Sequence, residues 1–263
     1  MPIIALITDF GEKDWFSGEM KGVINGISPE ATVIDITHRI APGDIRSACF
    51  TLLACYRSFP PGTIFCSVVD PGVGSPRKAI AASNDRFCFV GPDNGVLSWA
   101  LSKEKIKEVT LITNSTCYRQ PVSPTFQGRD IFAPVSAHLA RGLPLNKLGP
   151  SFTDFIKIPF PDSTYVNGDI TGEIIYIDSF GNLITSIENE KITPEHHNSS
   201  MKILRTDAKI PFGRYYQEYK PGCKLFYTGS AGFVEIAVNG GKASEVLKVT
   251  PGDRVQITAP DPI

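Results

Sequence analysis

The chain has 263 residues, 42% of them hydrophobic, with 26 Lys and Arg against 27 Asp and Glu for a formal net charge of -1. That is enough apolar residue for one large or two ordinary domains with a real core. The balance of charge excludes the global basic field that would hold a nucleic acid or an anionic membrane, and points to a small-molecule partner.

The apolar start Ile3-Ile4-Ala5-Leu6-Ile7 lacks a basic flank and reaches Asp9 after too few residues for a signal peptide, so it reads as a strand over 3–8. No run approaches the length of a membrane span. A helix is expected near 16–27 and a strand over 32–36. A second helix near 44–57 carries Ile45, Ala48, Cys49, Leu52, Leu53 and Tyr56 at the spacing of one buried face, with Asp44 placed to cap it.

The strand expected over 63–69 breaks at once into Asp70-Pro71-Gly72-Val73-Gly74-Ser75-Pro76-Arg77, which cannot continue it. A carboxylate, a small-residue loop and a guanidinium thus meet at a strand's C-terminal end, where ligands sit in α/β proteins. An ordinary surface turn with an incidental Asp and Arg has the same composition.

Further strands are expected over 78–82, 86–90 and 108–112, with a short helix over 94–101 opened by Asp93 or Asn94. Another helix is expected over 130–141, Pro134 being tolerated near its start. Strands alternating with helices predict a mostly parallel sheet covered on both faces, with Asp9 and Asp70 at strand ends on one edge.

Between Gly149 and Gly168 the composition turns rich in Pro, Asp and Ser, as in a connection. Beyond it, segments at 173–178, 183–187, 201–204, 224–227, 234–238 and 254–258 are short, β-branched and separated by Gly, Asn or Pro turns. Two domains follow: an α/β domain over 1–160 and a smaller antiparallel, β-barrel-like domain over 170–263, joined by about 150–169.

The cysteines at 49, 55, 66, 88, 117 and 223 form no C-x-x-C pair and mostly sit in apolar segments, which fits reduced thiols and a cytoplasmic setting. His138 lies on a helix and His196 and His197 in a polar loop; none has a second ligand at metal spacing, so no metal is expected. No P-loop, G-x-S-x-G or well-placed G-x-G-x-x-G occurs.

Two further motifs have open readings. Asp9 either caps the segment after the first strand or accepts hydrogen bonds from two ribose hydroxyls. In Phe126-Gln127-Gly128-Arg129-Asp130, either Asp130 caps the next helix with Arg129 solvated, or Phe126 lies against a flat ring and Gly128 lets a ligand approach.

Six segments stand in order along nearly the whole chain: Thr8-Asp9-Phe10-Gly11, Asp35-Ile36-Thr37-His38, Val69 to Arg77, Gly91-Pro92-Asp93-Asn94-Gly95, Thr125 to Pro134 and Asp178-Ser179-Phe180-Gly181-Asn182. Together they closely resemble the S-adenosyl-L-methionine hydroxide adenosyltransferases, relatives of the fluorinase and chlorinase. The resemblance implies a homotrimer whose sites lie where one subunit's N-terminal domain meets a neighbour's C-terminal domain. It implies no cofactor, S-adenosyl-L-methionine being the substrate that water or hydroxide attacks at C5′ to give adenosine and L-methionine.

By the same resemblance, Asp70 and Arg77 belong to the water-activating set. Gln127 takes the third position, where the family usually has His in Phe-His-Gly-Arg-Asp. Asp9 is implied to hold ribose hydroxyls, Phe126 and Phe180 to line the nucleoside pocket, and Asn182 to contact adenine. Asp178 and Ser230 are implied to meet the amino-acid portion, while Glu235, Val238 and Asn239 border adenine, partly through backbone groups. Gln127 cannot change charge as His does, so lower activity with less pH sensitivity near neutrality is expected. The alternatives are an S-adenosyl-L-methionine or adenosine binding protein that has lost its chemistry and, less in keeping with Asp70 and Gly128, a halogenase.

Overall fold

The computed structural model describes residues 1–206 and 208–258, so the last five residues of the β domain expected over 170–263 lie outside the described residues. The chain divides into two compact units, Met1–Pro159 and Phe160–Ile263.

The first unit contains β1 (Ile3–Thr8), α1 (Phe16–Ile27), β2 (Thr32–Thr37), α2 (Ile45–Cys55), β3 (Ile64–Val68), β4 (Ala79–Ser83), β5 (Cys88–Pro92), α3 (Ser98–Ser102), β6 (Glu108–Leu111) and α4 (Ala133–Ala140). Its sheet runs β2-β1-β3-β5-β4-β6. β1 is parallel to β2 and β3, and β3 to β5, whereas β4 is antiparallel to both neighbours. The expected mostly parallel sheet is therefore present, with one reversed strand.

Alternation along the central strands assigns the two faces. Ile4, Leu6, Ile64, Cys66 and Val68 join Met20 and Ile24 of α1 and Val135 and Ala137 of α4 in one core cluster. On the other face Phe65 stacks on Phe89 at 5.5 Å and meets the edge of Tyr56, which follows α2, at 6.4 Å. All six cysteines are free. Burial pushes the thiols of Cys49, Cys55 and Cys66 up to about 12, so they remain neutral apolar groups.

Two local expectations are corrected. The helix expected over 94–101 begins only at Ser98. Gly95 stands at φ +94, where a Cβ would lie 2.5 Å from Ile158 Cγ1, and Asn94 Oδ1 accepts from Val96 N at 3.1 Å, a local turn that delays the helix. The helix expected from Asp130 opens instead as a wide π-turn over Gly128–Phe132. Pro134 has no N–H for the Asp130 carbonyl, which accepts from Arg119 N at 2.9 Å. Asp130 thus lies inside the turn and is no N-cap.

The second unit contains β7 (Thr164–Val166), β8 (Asp169–Ile177), β9 (Leu183–Glu188), β10 (Ser200–Ile203), β11 (Lys209–Pro211), β12 (Lys224–Thr228), β13 (Phe233–Val238), α5 (Ala243–Leu247) and β14 (Arg254–Ile257). The order is β11-β10-β14-β8-β9-β13-β12, with β7 paired to β8. A bridge from Phe212, just past β11, to Phe226 in β12 brings the two ends together, which makes the antiparallel sheet barrel-like, as expected. Its core holds Ile174, Leu183, Ile187, Met201, Phe226, Ile236 and Val255. No helix among the described residues is long and apolar enough to cross a membrane.

Candidate active site

Asp70 follows the C-terminal end of β3, and its side chain is 4% exposed. The chain leaves the strand through Gly74, at φ +79, whose Cβ would lie 2.6 Å from the Pro124 carbonyl. Only glycine fits there, so the loop returns and seats Arg77 on Asp70. Arg77 Nε donates to Asp70 Oδ1 at 3.0 Å and Oδ2 at 2.8 Å, and Nη2 also bonds Oδ2. The same Nη2 bonds Gln127 Oε1, while the guanidinium carbon lies 5.3 Å from the Phe132 ring centroid. Residues 70, 77 and 127, separated in sequence, therefore form one hydrogen-bonded set.

Asp9 follows β1 on the same edge, and its Oδ2 accepts from Gly43 N at 2.8 Å. Phe126 is buried and meets Phe10 edge-on at 5.7 Å and Phe16 at 5.2 Å. The expected close approach at Gly128 is explained within the protein, since a Cβ there would stand 3.1 Å from Phe10 Cζ and 3.4 Å from Met20 Sδ. Asp9, Phe10, Asp70, Phe126, Gln127 and Gly128 line a recess of about 50 Å³. It admits water, whereas pockets for nucleoside-sized ligands run to roughly 300–1,000 Å³.

Arg129 is not solvated. It donates to Asp130 Oδ1 at 2.8 Å and Oδ2 at 3.0 Å and reaches Glu19 Oε1 at 3.2 Å. Asp130, fully buried, also accepts from Arg119 Nη1 at 3.0 Å and Ser123 N at 2.8 Å. Burial alone would raise its pKa. The Arg129 hydrogen bonds, with Ser123 and Arg119, outweigh burial and hold it below the usual carboxylate range.

In the second unit the turn from β8 to β9 is built around Asp178. Its Oδ1 accepts from Phe180 N at 2.9 Å and Asn182 N at 2.8 Å, and its Oδ2 from Asn182 Nδ2 at 2.9 Å. Gly181, at φ +83, would place a Cβ 2.5 Å from Lys242 Cβ. Phe180, Asn182, Tyr215, Tyr216, Val238 and Asn239 are among the residues lining a bowl of about 840 Å³. Phe180 is 76% exposed, an apolar wall facing out.

Glu235 stands behind the bowl. Tyr227 Oη donates to Glu235 Oε2 at 2.6 Å and lies 2.8 Å from Tyr216 Oη, which accepts from Asn182 Nδ2 at 3.3 Å. Burial pushes Glu235 up, and the nearby Asp178 charge adds to it. Asn239 gives its Nδ2 to the Tyr219 carbonyl at 2.7 Å, and Val238 O accepts from Gly241 N at 3.1 Å. Ser230 is exposed in the turn between β12 and β13 and does not line the bowl.

Sequence reasoning missed Tyr215, Tyr216 and Lys242 in the bowl; the only signal was the adjacent tyrosines in a polar stretch. It also missed the chemistry of His38, which is buried with Nδ1 2.8 Å from Thr8 Oγ1. Among the described residues no group of three or more His, Cys, Asp or Glu is placed to hold a metal ion.

Comparison with known proteins places the chain in a family. The model of the SAM hydroxide adenosyltransferase N-terminal domain matches residues 4–149, and that of the C-terminal domain residues 172–256. The chain is similar to the (R)-S-adenosyl-L-methionine hydrolase of Salinispora arenicola, 36% identical over 261 residues and 98% of both chains. It is 32% identical to the hydrolase of that name from Thermus thermophilus, over 97% of this chain and 98% of the relative. A crystal structure of an uncharacterized conserved protein from Thermotoga maritima matches with a TM-score of 0.91 at 37% identity, covering 97% of this chain and 99% of that one. With both domains matched in order and full-length relatives above the 30% level, this chain belongs to the SAM hydroxide adenosyltransferase family.

Proposed function

We propose that the chain hydrolyses S-adenosyl-L-methionine to adenosine and L-methionine, by attack of water on C5′. The observation that carries this reading is the Asp70–Arg77–Gln127 set at the mouth of a water-sized recess beside Asp9 and Phe126. The water oxygen forms a bond to C5′ as the C5′–S bond breaks, its electron pair returning to sulfur. The leaving group is a neutral thioether, so no acid is needed to expel it. The proton that leaves the attacking oxygen passes to the Asp70 carboxylate at the recess and from there to solvent.

The remaining difficulty is presenting a weak nucleophile in line at about 3–3.5 Å, which is work for fixed hydrogen-bond acceptors. Asp70 orients the water, Arg77 holds Asp70, and Gln127 holds Arg77. Asp9 takes the ribose hydroxyls. The nucleoside lies against Phe126 and Phe180, with Asn182 on the adenine edge and Val238 and Asn239 beside it. Asp178 and Ser230 meet the amino-acid portion, and Glu235 acts from behind the adenine wall.

The recess is too small for the substrate, whereas the bowl has nucleoside size. Each cavity thus holds only part of a site, in keeping with the homotrimer the family resemblance implies, in which the first unit of one subunit and the second unit of a neighbour complete each site. The reaction needs no cofactor, and the reduced cysteines fit a cytoplasmic enzyme.

Incubation with S-adenosyl-L-methionine in ¹⁸O-labelled water tests the reading. Adenosine labelled at its 5′ oxygen, formed in proportion to protein, is the expected result. Binding without adenosine would replace it with the binding-protein reading, and a 5′-halogenated product with added halide would move it to the halogenases.

A further inference from the structure

His38 sits just past β2 and is 4% exposed. Its Nδ1 lies 2.8 Å from Thr8 Oγ1, and Thr8 is itself fully buried at the end of β1. Thr8 Oγ1 also accepts from Phe10 N at 3.3 Å. The Asp35 carboxylate facing Nε2 can only accept, so a neutral ring carries its proton on Nε2 and takes the Thr8 hydroxyl hydrogen at Nδ1. Nε2 stands 3.0 Å from Asp35 Oδ1, off the line of a full hydrogen bond, and Lys21 holds Asp35 from outside at 2.5 Å. The His38 carbonyl accepts from Gly11 N at 2.7 Å.

These bonds bracket one residue. Asp9 lies between Thr8, tied to the His38 ring, and the Phe10–Gly11 pair, tied to Thr8 and to the His38 carbonyl, while Gly43 N holds its Oδ2. Phe10 is in turn the ring against Phe126 and Gly128 in the recess. We propose that His38, acting through Thr8, is the positioning residue that sets the Asp9 carboxylate and the Phe10 ring for the ribose. This rests on the reading of Asp9 as the ribose acceptor. The other charged groups beside His38 are Asp35 and Lys21, with Glu12 and Arg39 paired to each other at 2.6 Å.

The test is the affinity ratio of adenosine to 2′,3′-dideoxyadenosine, measured calorimetrically on the full chain, its Thr8→Val, His38→Ala and His38→Asn forms. Hydrogen bonds from two hydroxyls to a carboxylate favour adenosine by about 10²-fold in the parent. Thr8→Val, close in shape to the parent residue, and His38→Ala reduce that preference about tenfold. His38→Asn keeps most of it, because its amide oxygen can still accept from Thr8. The ratio does not depend on the fraction of protein folded, so lost stability alone does not move it.

An unchanged ratio in both Thr8→Val and His38→Ala would overturn the role of His38 and leave the ribose reading intact. A parent chain that binds both nucleosides equally, or neither, would overturn the ribose role of Asp9 and this inference with it.

Discussion

Asn182 Nδ2 donates to Asp178 Oδ2 at 2.9 Å, and because a carboxylate only accepts, that bond decides which way the Asn182 amide points. The second amide hydrogen is also taken. Tyr227 gives its hydrogen to Glu235, so its oxygen accepts from Tyr216, whose oxygen accepts from Asn182. What remains for a ligand is the carbonyl Oδ1, in a bowl walled by Phe180, Tyr215 and Tyr216.

A flat ring bearing an amino group fits that arrangement, and one bearing a carbonyl at the same position meets two facing acceptors. Adenosine therefore binds more tightly than inosine by about 10- to 100-fold, the scale of one hydrogen bond made against one denied in a desolvated site. Tyr216→Phe frees one amide hydrogen and narrows the gap several-fold. Equal affinity for the two nucleosides in the parent chain would refute this polarity.

Asp70→Asn keeps the shape of the side chain but weakens an acceptor and turns one oxygen into a donor group facing Arg77. The expected result is a fall of about 10²–10⁴-fold in kcat, the range for losing a positioned proton acceptor. Adenosine affinity changes by less than a few-fold, since Asp70 lies at the water recess. A loss confined to KM would instead place Asp70 in ground-state binding.

Gln127→His puts an imidazole where an amide oxygen now accepts from Arg77. An imidazole can carry a proton near neutrality, whereas glutamine cannot, so kcat should rise and acquire a titration near pH ~6.5. A flat kcat profile between pH 5.5 and 8 (about one unit either side of that value) and no gain in rate would show that the amide serves the set equally well.

The legible part of the chain followed from periodicity and turn chemistry. β1, α1 and β3 have the buried patterns their sequences announce, and Asp44 caps α2 by accepting from Ser47 N at 3.0 Å. What escaped was settled by contacts distant in sequence. The π-turn at Gly128 depends on Arg119 taking the carbonyl that Pro134 leaves free. β7 and β11, three residues each, carry too short a pattern to register. Within the site, Asp70 and Arg77 were visible as neighbours along the chain. The part played by Tyr216 was not, because its meaning lies in a hydroxyl reaching Asn182 across 34 positions.

Asp130 offers the clearest link between the site and stability. It lies three residues after Gln127, is fully buried, and holds Arg129, Arg119 and the Ser123 amide together. Its folded pKa is depressed, so its contribution is fully present above the unfolded value of about 3.9 and disappears as pH falls through the lower folded value. Asp130→Asn leaves two guanidinium groups without their buried partner and should lower unfolding free energy at pH 7 by about 3 kcal/mol. Denaturant titrations of parent and variant from pH 7 downward check this. The gap should hold until about pH 4 and close below it; a gap that persists unchanged into stronger acid would mean that packing, and not the carboxylate charge, accounts for the loss.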